Sequence, residues 1–416
     1  MSVKVMNKNT NKSFEGNNWH ILLLPVITII AGFIIPFIFG EDNAYVYSWF
    51  IAFSIVFGFL LNSYNNRSNI CLLLLLLLIT YLTVFIGCRD FGVGTDTLVY
   101  IDDYWDKGRY VHSIGDFFDF SYISKAFLLL SVIGHLFSDD HQSLLILTAL
   151  TINAVTFLSV YIFNYKKLQI NWVVYIVIWQ FLLMNTSMNL MRQCCALAFM
   201  QLALVLFLKR KYFWAILSVV IGYQFHSTVL VLGLMGLFYL FGKYFEPKKR
   251  NILTFIVLLL LIIATLSAFK YISLLITGGY INEHFDLYTD NSVFESHNLF
   301  GVSYLTFSFL FVFSTIYLRQ KRLISNNETY LLITLYSTAF ILRLAGFSLV
   351  YLSRLSDSYN CFIYLILAYL LTKFSNRIPF LIQFMIYTVI FYSWFSGYIL
   401  NSGAGTYPYH SVILNI

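Results

Sequence analysis

The sequence predicts an all-α polytopic membrane protein in which about 13–14 transmembrane helices form one bundle. The first observation is composition: of 416 residues, 59% are hydrophobic and only 11% are charged, and the mean hydropathy is +0.76. Soluble domains carry roughly a quarter charged residues, so this chain cannot cover a water-facing surface. The second observation is that the apolar residues form continuous runs, without the alternation of a membrane β-barrel.

The apolar runs, taken in order, define the predicted helices, because a bilayer core requires about 20 apolar residues per helix or somewhat fewer. The first run lacks a small-residue cleavage site and is predicted to be a retained anchor. Several runs are only a few residues apart, which makes consecutive helices antiparallel neighbours. We therefore expect a single integral membrane domain over residues 1–416. The candidate runs are 19–39, 45–62, 70–88, 143–163, 171–188, 191–208, 212–225, 227–244, 252–272, 299–318, 329–349, 356–373 and 378–399.

The distribution of charge decides how the further apolar segment 122–137 is placed. If the N-terminus is cytoplasmic and this segment does not cross, most of the 26 lysines and arginines lie inside and most of the 19 acidic residues lie outside. This asymmetry satisfies the positive-inside rule, and it collapses if the segment crosses. The segment 122–137 is therefore predicted to be a re-entrant or interfacial helix on the outer side, or two half-crossings there.

Two long polar segments, 89–142 and 273–298, are then predicted to form outer loops. Long loops are uncommon without a function, so these are the first places to look for a site. The short outer connections carry Arg192, Arg343 and Arg354, which the positive-inside rule does not explain. Because the other basic residues follow membrane topology, the net charge of +7 does not indicate a nucleic-acid partner.

The densest polar motif is the glycine turn at 89–96, which reads RDFGVGTD and follows the third run. Its glycines would let backbone amides approach a ligand, and Thr95 or Asp96 could cap a following helix. No strand precedes the turn, so it is not a nucleotide fingerprint. Arg89 beside a carboxylate suits a preorganised phosphate site. A capped turn before an exposed acidic helix is the alternative.

Further arginines occur at the outer ends of other runs. Arg192 and Gln193 share a helix face with Asn189, and a buried cation at this depth is costly unless it is paired or faces a polar cavity. Snorkelling to lipid headgroups is the alternative for Arg192. Arg343 and Arg354 flank another outer loop, where an intrahelical ion pair of Arg354 with the nearby Asp357 is equally open.

A histidine and several aromatic residues complete the candidates. His226 lies in a tight outer turn, titrates near neutral pH and could deprotonate a hydroxyl, or it could cap the following helix. Tyr100, Tyr104, Trp105 and Tyr110 could stack on sugars, although most aromatic residues must face lipid or the membrane interface. No histidine, cysteine or carboxylate spacing resembles a metal site, so neither a metal nor a cofactor is predicted.

Together these residues suit a lipid-linked diphosphate. Arginine is always charged and binds phosphate in a bidentate manner, so an arginine cluster could hold the diphosphate and stabilise the charge that develops as it leaves. Such a donor is already activated, and no nucleotide site is required.

Three motifs resemble the EpsG-like branch of the Wzy-type polysaccharide repeat-unit polymerases, which include O-antigen polymerases. They are the turn with its tyrosine at 89–100, the sequence MRQCCA at 191–196 and the sequence FHS at 225–227. The resemblance implies a bacterial inner-membrane glycosyltransferase with a GT-C-like bundle, a cytoplasmic N-terminus and a periplasmic active face. By resemblance, the motif positions of the family are Arg89, Asp96, Arg192 and His226, and more loosely Arg354.

The predicted reaction is metal-independent glycosyl transfer between two undecaprenyl-diphosphate-linked oligosaccharides, one the donor and one the acceptor. We expect Tyr100 and Gln193 to contact substrate and either His226 or Asp96 to act as the base. Membrane lipids and a chain-length regulator protein are the further expected partners. A lipid-linked oligosaccharide flippase and an O-antigen ligase are the alternatives. The residues predicted to bind the diphosphate are Arg89, Arg192, Arg343 and Arg354.

Overall fold

The computed structural model describes residues 44–65, 67–120, 124–230, 315–322, 324–345, 360–374 and 380–415. All regular elements within these ranges are helical and none is a strand, so the predicted all-α class is confirmed for them. The main helices are α1 (Ala44–Ser63), α2 (Ser68–Gly87), α3 (Thr97–Tyr100), α4 (Asp106–Gly108), α5 (Ile114–Asp119), α6 (Lys125–Phe137), α7 (Gln142–Asn164), α8 (Trp172–Trp179), α9 (Asn185–Asn189), α10 (Met191–Leu208), α11 (Tyr212–Phe225), α12 (Asn326–Ala345), α13 (Asn360–Phe374) and α14 (Phe380–Trp394).

Short turns of other helical types join some of these helices. A π-helical turn at Ile101–Trp105 connects α3 to α4, one at Gln180–Met184 connects α8 to α9, and a third at Phe395–Leu400 extends α14. Tight 3-10 turns follow at Ser227–Leu230 and Gly403–Gly405. The polar segment after α2 is therefore largely helical and not an open loop.

Three of the described helices, α2, α7 and α10, are long and apolar enough to cross a membrane. Shorter apolar helices lie within α1, α6, α11, α12, α13 and the α14 region. The predicted runs 19–39 and 252–272, most of 227–244 and 299–318, and the outer segment 273–298 lie outside the described residues. The predicted total of 13–14 spans and the GT-C-like arrangement therefore stay predictions.

The centre of the bundle is α8. All eight of its side chains are buried, as expected for a helix that is apolar on every face. It packs against α1 and α13, while α2, α7, α10 and α11 pack successively beside one another. By contrast, α11 leaves large apolar side chains such as Phe213 and Trp214 exposed, as expected for a helix that faces lipid.

The segment predicted not to cross contains α6, a helix of 13 residues. At 1.5 Å per residue it is about 20 Å long, too short for a hydrocarbon core of about 30 Å. It packs between α7 and α11. The Ser124 hydroxyl at its start donates to the carbonyl oxygens of Gln224 at 2.7 Å and Phe225 at 2.8 Å. These contacts fix α6 at the end of the bundle where α11 ends.

The helices place two groups of polar residues at opposite ends of the bundle. One end, which we call the arginine end, contains 89–110, 188–193, 224–226 and the C-terminal segment 401–415. The other, which we call the lysine end, contains Asn62, Asn164 to Trp172, Lys209 and Thr372. The two groups correspond to the predicted outer and cytoplasmic sides.

Candidate functional site

The glycine turn at 89–96 is held against the junction of α9 and α10. The Asn189 side-chain oxygen accepts hydrogen bonds from the Thr95 hydroxyl at 3.0 Å and from the Asp96 amide at 2.8 Å. Gly94 has a φ of +101°, and a Cβ at this position would lie 2.8 Å from the Met188 carbonyl oxygen. The turn can approach the junction this closely because residue 94 has no side chain.

The C-terminal segment accepts hydrogen bonds from the backbone amides that were expected to contact a ligand. The Gly94 amide donates to the Gly405 carbonyl at 2.8 Å, and the Thr95 amide donates to the Ala404 carbonyl at 3.0 Å. That expectation is wrong for these two amides, because a distant part of the chain satisfies them. The segment is fixed further by Tyr409, whose hydroxyl donates to the Phe85 carbonyl at 2.5 Å.

The predicted helix cap is also absent. Asp96 occupies the N-cap position of α3, but its carboxylate makes no capping hydrogen bond, and its φ and ψ of −91° and −3° are helical. The Thr95 hydroxyl donates to the Asn189 side chain and does not cap the helix, and the Thr97 hydroxyl donates to the Val93 carbonyl at 3.0 Å. The Asp96 carboxylate is therefore half-buried and accepts only a long contact of 3.4 Å from Thr95.

Arg89 is enclosed within the protein, with only 1% of its surface exposed. Its guanidinium donates to the carbonyl oxygens of Ile86 at 2.6 Å, Met188 at 2.7 Å and Val93 at 3.2 Å, and it contacts the Met191 sulfur. Burial lowers the pKa of Arg89 to about 10, so the group stays charged at neutral pH. Arg89 thus joins the end of α2 to the start of α10, and its contact with a diphosphate stays a prediction.

Arg192 is placed differently. Its guanidinium lies against two tyrosine rings, with its central carbon 5.5 Å from the ring centroid of Tyr100 and 5.1 Å from that of Tyr104. One terminal nitrogen donates to the Tyr104 hydroxyl, while Nε is shielded from solvent and makes no hydrogen bond. Such cation–π contacts hold a guanidinium without neutralising it. Arg192 is half-buried and therefore still accessible.

Asp96 and Arg192 both lie near Tyr100 without pairing with each other. Burial has the largest effect on the pKa of Tyr100 and raises it. The nearby Arg192 opposes that rise, and Asp96 adds to it. Within the described part of the chain, no carboxylate comes within 4.0 Å of the Arg192 guanidinium. The site therefore presents a cation and a carboxylate near the same tyrosine, and neither forms an ion pair with another described residue.

His226 caps the turn that follows α11. Its Nδ1 accepts the Thr228 amide at 3.2 Å and lies 3.1 Å from the Thr228 hydroxyl. Because an Nδ1 that accepts a hydrogen bond carries no proton, the neutral ring carries its proton on Nε2. The predicted role of His226 as the base stays a prediction.

Hydrogen bonds connect these groups. Arg192 donates to the Tyr104 hydroxyl, and that hydroxyl accepts the Ser124 amide at 3.4 Å. The Ser124 hydroxyl in turn donates to the carbonyl of Phe225, the neighbour of His226. The structure thereby brings the motifs containing Asp96, Arg192 and His226 to one end of the bundle. We call this group, together with Tyr100 and Tyr104, the Arg192 cluster.

The aromatic residues proposed to stack on sugars are mostly enclosed. Tyr100, Tyr104 and Trp105 are buried, and the Trp105 ring stacks on His135 at 3.7 Å. Tyr110 alone of these four is widely exposed, at 67%. In the structure the Tyr100 and Tyr104 rings position Arg192, so their predicted sugar faces are occupied by other side chains.

The remaining predicted residues are less defined. Gln193 is half-buried at the start of α10, and Arg343 is half-buried in the last turn of α12, which packs against α13. Arg354 lies outside the described residues. The roles predicted for these three residues stay predictions. Within the described residues, no three histidine, cysteine or acidic side chains are grouped so that they could hold a metal ion.

The C-terminal segment is the part of the site that sequence reasoning missed. Its Ser411 hydroxyl donates to the Cys88 carbonyl at 2.5 Å, and its Val412 amide donates to the Asp90 carboxylate at 3.0 Å. The only sequence signal is the turn-forming GAG at 403–405, followed by Pro408. Neither indicates which distant residues the segment contacts.

Comparison with known proteins identifies one family. The sequence profile of the EpsG family matches residues 72–411. This stretch contains the whole Arg192 cluster and most of the C-terminal segment. No curated protein and no solved structure gives a significant match.

Proposed function

Because the chain belongs to the EpsG family, a family of Wzy-like polysaccharide polymerases, we propose that it joins lipid-linked oligosaccharide repeat units into a surface polysaccharide. The lipid carrier in this proposal is undecaprenyl diphosphate, and the reaction takes place at the periplasmic face of a bacterial inner membrane. Family membership supports a polysaccharide polymerase with a membrane glycosyltransferase role. The arginine end supports the choice of face, because it is the end that the charge distribution assigns to the outside.

One observation carries the proposal: Arg192 is an accessible cation that pairs with no carboxylate of the described residues. A cation at this depth of a membrane protein is costly unless it is paired or faces a polar cavity, so an anionic ligand would stabilise it. The N–H groups at the end of its guanidinium that do not bond Tyr104 match the oxygens of a diphosphate. We therefore assign the leaving diphosphate of the donor to Arg192.

In the proposed reaction, a hydroxyl oxygen of the acceptor sugar attacks the anomeric carbon of the donor. A glycosidic C–O bond forms, and the bond between that carbon and the diphosphate oxygen breaks. The hydroxyl proton passes to the Asp96 carboxylate, and the lipid diphosphate leaves with the negative charge. Arg192 stabilises that charge, and His226 is proposed as a further group that contacts the leaving diphosphate. No metal ion is part of this proposal.

In this proposal Arg89 positions the elements that carry the site residues. It holds the glycine turn and the start of α10 together, and these two elements carry Asp96 and Arg192. Arg343 and Arg354 are proposed as additional diphosphate contacts, as the sequence suggests.

The test is synthesis of a polymer ladder by the reconstituted protein from a purified lipid-linked repeat unit. We expect Arg192→Ala to slow elongation by about 100-fold or more, the typical effect of removing one stabilising group from a transition state. The matched control is Arg109→Ala, since Arg109 is an exposed arginine at the same end of the bundle. Normal-length polymer from correctly inserted Arg192→Ala protein would contradict the proposal.

The same assay separates the alternatives. A flippase would move the lipid-linked unit across the vesicle membrane without making a ladder. A ligase would transfer one chain to a lipid A core acceptor and would not elongate repeat units alone.

A further inference from the structure

The arginine end also contains an open cavity of about 720 Å³. This volume lies within the range of about 300–1,000 Å³ that is usual for small-molecule sites. Gly92, Val93 and Gly405 form part of its wall, so it adjoins the glycine turn that carries Asp96. The side chains that give it its chemistry are Asp90, Phe91, Asp140, His141, Tyr407 and His410.

These side chains are complementary to sugar hydroxyls. Carboxylates accept hydrogen bonds from hydroxyl groups, imidazoles both donate and accept, and an aromatic ring packs against the apolar face of a sugar. Several of these groups are available to a ligand, since Phe91 is 44% exposed and the Asp140 side chain is 61% exposed. His141 lies between them, 3.4 Å from the Asp140 carboxylate and 4.4 Å from the centroid of the Phe91 ring.

The charge of the cavity selects a neutral occupant. Among the described residues, its lining contains two carboxylates and no lysine or arginine, so it disfavours a diphosphate. Arg192, an accessible cation of the arginine end, belongs to the neighbouring Arg192 cluster. The two substrates would therefore use different sites, with the diphosphate of the donor at Arg192 and the terminal sugars of the acceptor in the cavity.

The cavity wall is fixed by contacts between the glycine turn and the C-terminal segment. The Asp90 amide donates to the His410 carbonyl at 2.9 Å, and the Asp90 carboxylate accepts the Val412 amide at 3.0 Å. Gly405, which also lines the cavity, accepts the Gly94 amide. A sugar bound here would lie beside the same turn that ends in Asp96.

We infer that this cavity binds the neutral terminal sugars of the acceptor and presents one hydroxyl to Asp96. The inference rests on the proposed function and adds to it a saccharide-binding site formed with the C-terminal segment. Asp140 and His141 are its main recognition residues.

The experiment measures equilibrium binding of the repeat-unit oligosaccharide, released from its lipid diphosphate, to the full-length protein in detergent. We expect Asp140→Asn and His141→Ala each to weaken binding about 10-fold, the usual effect of one lost hydrogen bond to a charged group. The matched control is Asp139→Asn, because Asp139 is exposed next to Asp140 but does not line the cavity. Inorganic diphosphate should not displace the oligosaccharide, and Arg192→Ala should bind it with normal affinity.

Wild-type affinity in both Asp140→Asn and His141→Ala would overturn the inference, and so would displacement by inorganic diphosphate. These outcomes differ from failure of the proposed function, which appears as normal polymer synthesis by Arg192→Ala. In the ladder assay, the two cavity variants should raise the KM for the acceptor and leave kcat within about 2-fold, because Asp96 and Arg192 are unchanged.

Discussion

The two ends of the bundle use buried polar side chains in opposite ways. At the lysine end, the Asn164 side chain bonds three backbone groups: it accepts the Gln169 and Ile170 amides and donates to the Ile170 carbonyl, each at 2.9 Å. At the arginine end, Arg89 donates to three carbonyls, whereas Arg192 and Asp96 form no ion pair with any described residue.

A second asparagine at the lysine end also has its side chain hydrogen-bonded within the fold. Asn171 accepts the amides of Val173 and Val174 at 3.0 Å and 3.3 Å, which caps α8, and it also accepts the Asn62 amide at 2.9 Å. Such groups stabilise the fold and offer nothing to a ligand. Polarity within a membrane bundle therefore does not by itself identify a site, whereas an accessible charged group without a counter-ion among the described residues marks a candidate.

The largest expected effect in this comparison is at Arg89. Arg89→Ala removes the guanidinium that donates to three buried carbonyls, although the Val93 carbonyl keeps the Thr97 hydroxyl as a donor. We expect the change to lower the free energy of unfolding by about 3–5 kcal/mol. Arg89→Lys should not restore stability, because an ammonium on a longer, flexible stem cannot reproduce the planar fork. Thermal unfolding in detergent, followed by tryptophan fluorescence, measures the stability of both variants. If Arg89→Ala inserts with normal stability and loses only activity, Arg89 belongs with Arg192 as a ligand-binding group.

Asn164→Ala is the matched change at the lysine end. Removing the amide leaves two N–H groups and one carbonyl unsatisfied, and we expect a loss of about 2–3 kcal/mol in stability. Polymer synthesis per folded molecule should be unchanged, in contrast to Arg192→Ala. A specific loss of activity in stable Asn164→Ala protein would break the distinction between the two ends.

A smaller effect is expected at the glycine turn. Gly94→Ala should cost about 1–3 kcal/mol, because residue 94 has a positive φ and its Cβ would meet the Met188 carbonyl. Gly92→Ala is the control, since a Cβ there would have no atom within 4 Å. Melting temperatures of the pair measure the difference. Equal melting temperatures would mean that the turn is not held against α9 as described.

The smallest effect is expected at Tyr104. Tyr104→Phe keeps the ring beneath Arg192 but removes the hydroxyl that accepts its hydrogen bond, at a cost of about 1 kcal/mol. We expect the KM for the lipid-linked donor to rise about 5-fold with little change in stability. Tyr110→Phe, at an exposed position of the same segment, should leave both quantities unchanged. An equal change in the two variants would show that the Tyr104 hydroxyl does not position Arg192.

Much of this arrangement could be predicted from local patterns. The apolar runs that correspond to α2, α7 and α10 were identified at nearly their structural bounds, since helix length and hydropathy depend on neighbouring residues alone. The short α6 was expected not to cross, from charge distribution. The resemblance to EpsG-like polymerases is confirmed by the family match.

The contacts of the site could not be predicted in the same way. Arg89 and Arg192 have the same residue type and occur at the ends of similar apolar runs, yet one is enclosed by carbonyls and the other remains accessible. The partner of Arg89 is Met188, 99 residues away, and Asp90 is bonded to Val412, 322 residues away. No local pattern contains such pairings.

By itself, then, the sequence determined the membrane class, the succession of apolar helices and the motifs that are candidates for chemistry. These follow from transfer free energies and charge, which act residue by residue. Only the tertiary structure decided which arginine is enclosed by backbone carbonyls, which one stays accessible, and that the C-terminal segment packs against the candidate site. Those properties depend on hydrogen-bond partners, and packing brings these together from distant parts of the chain.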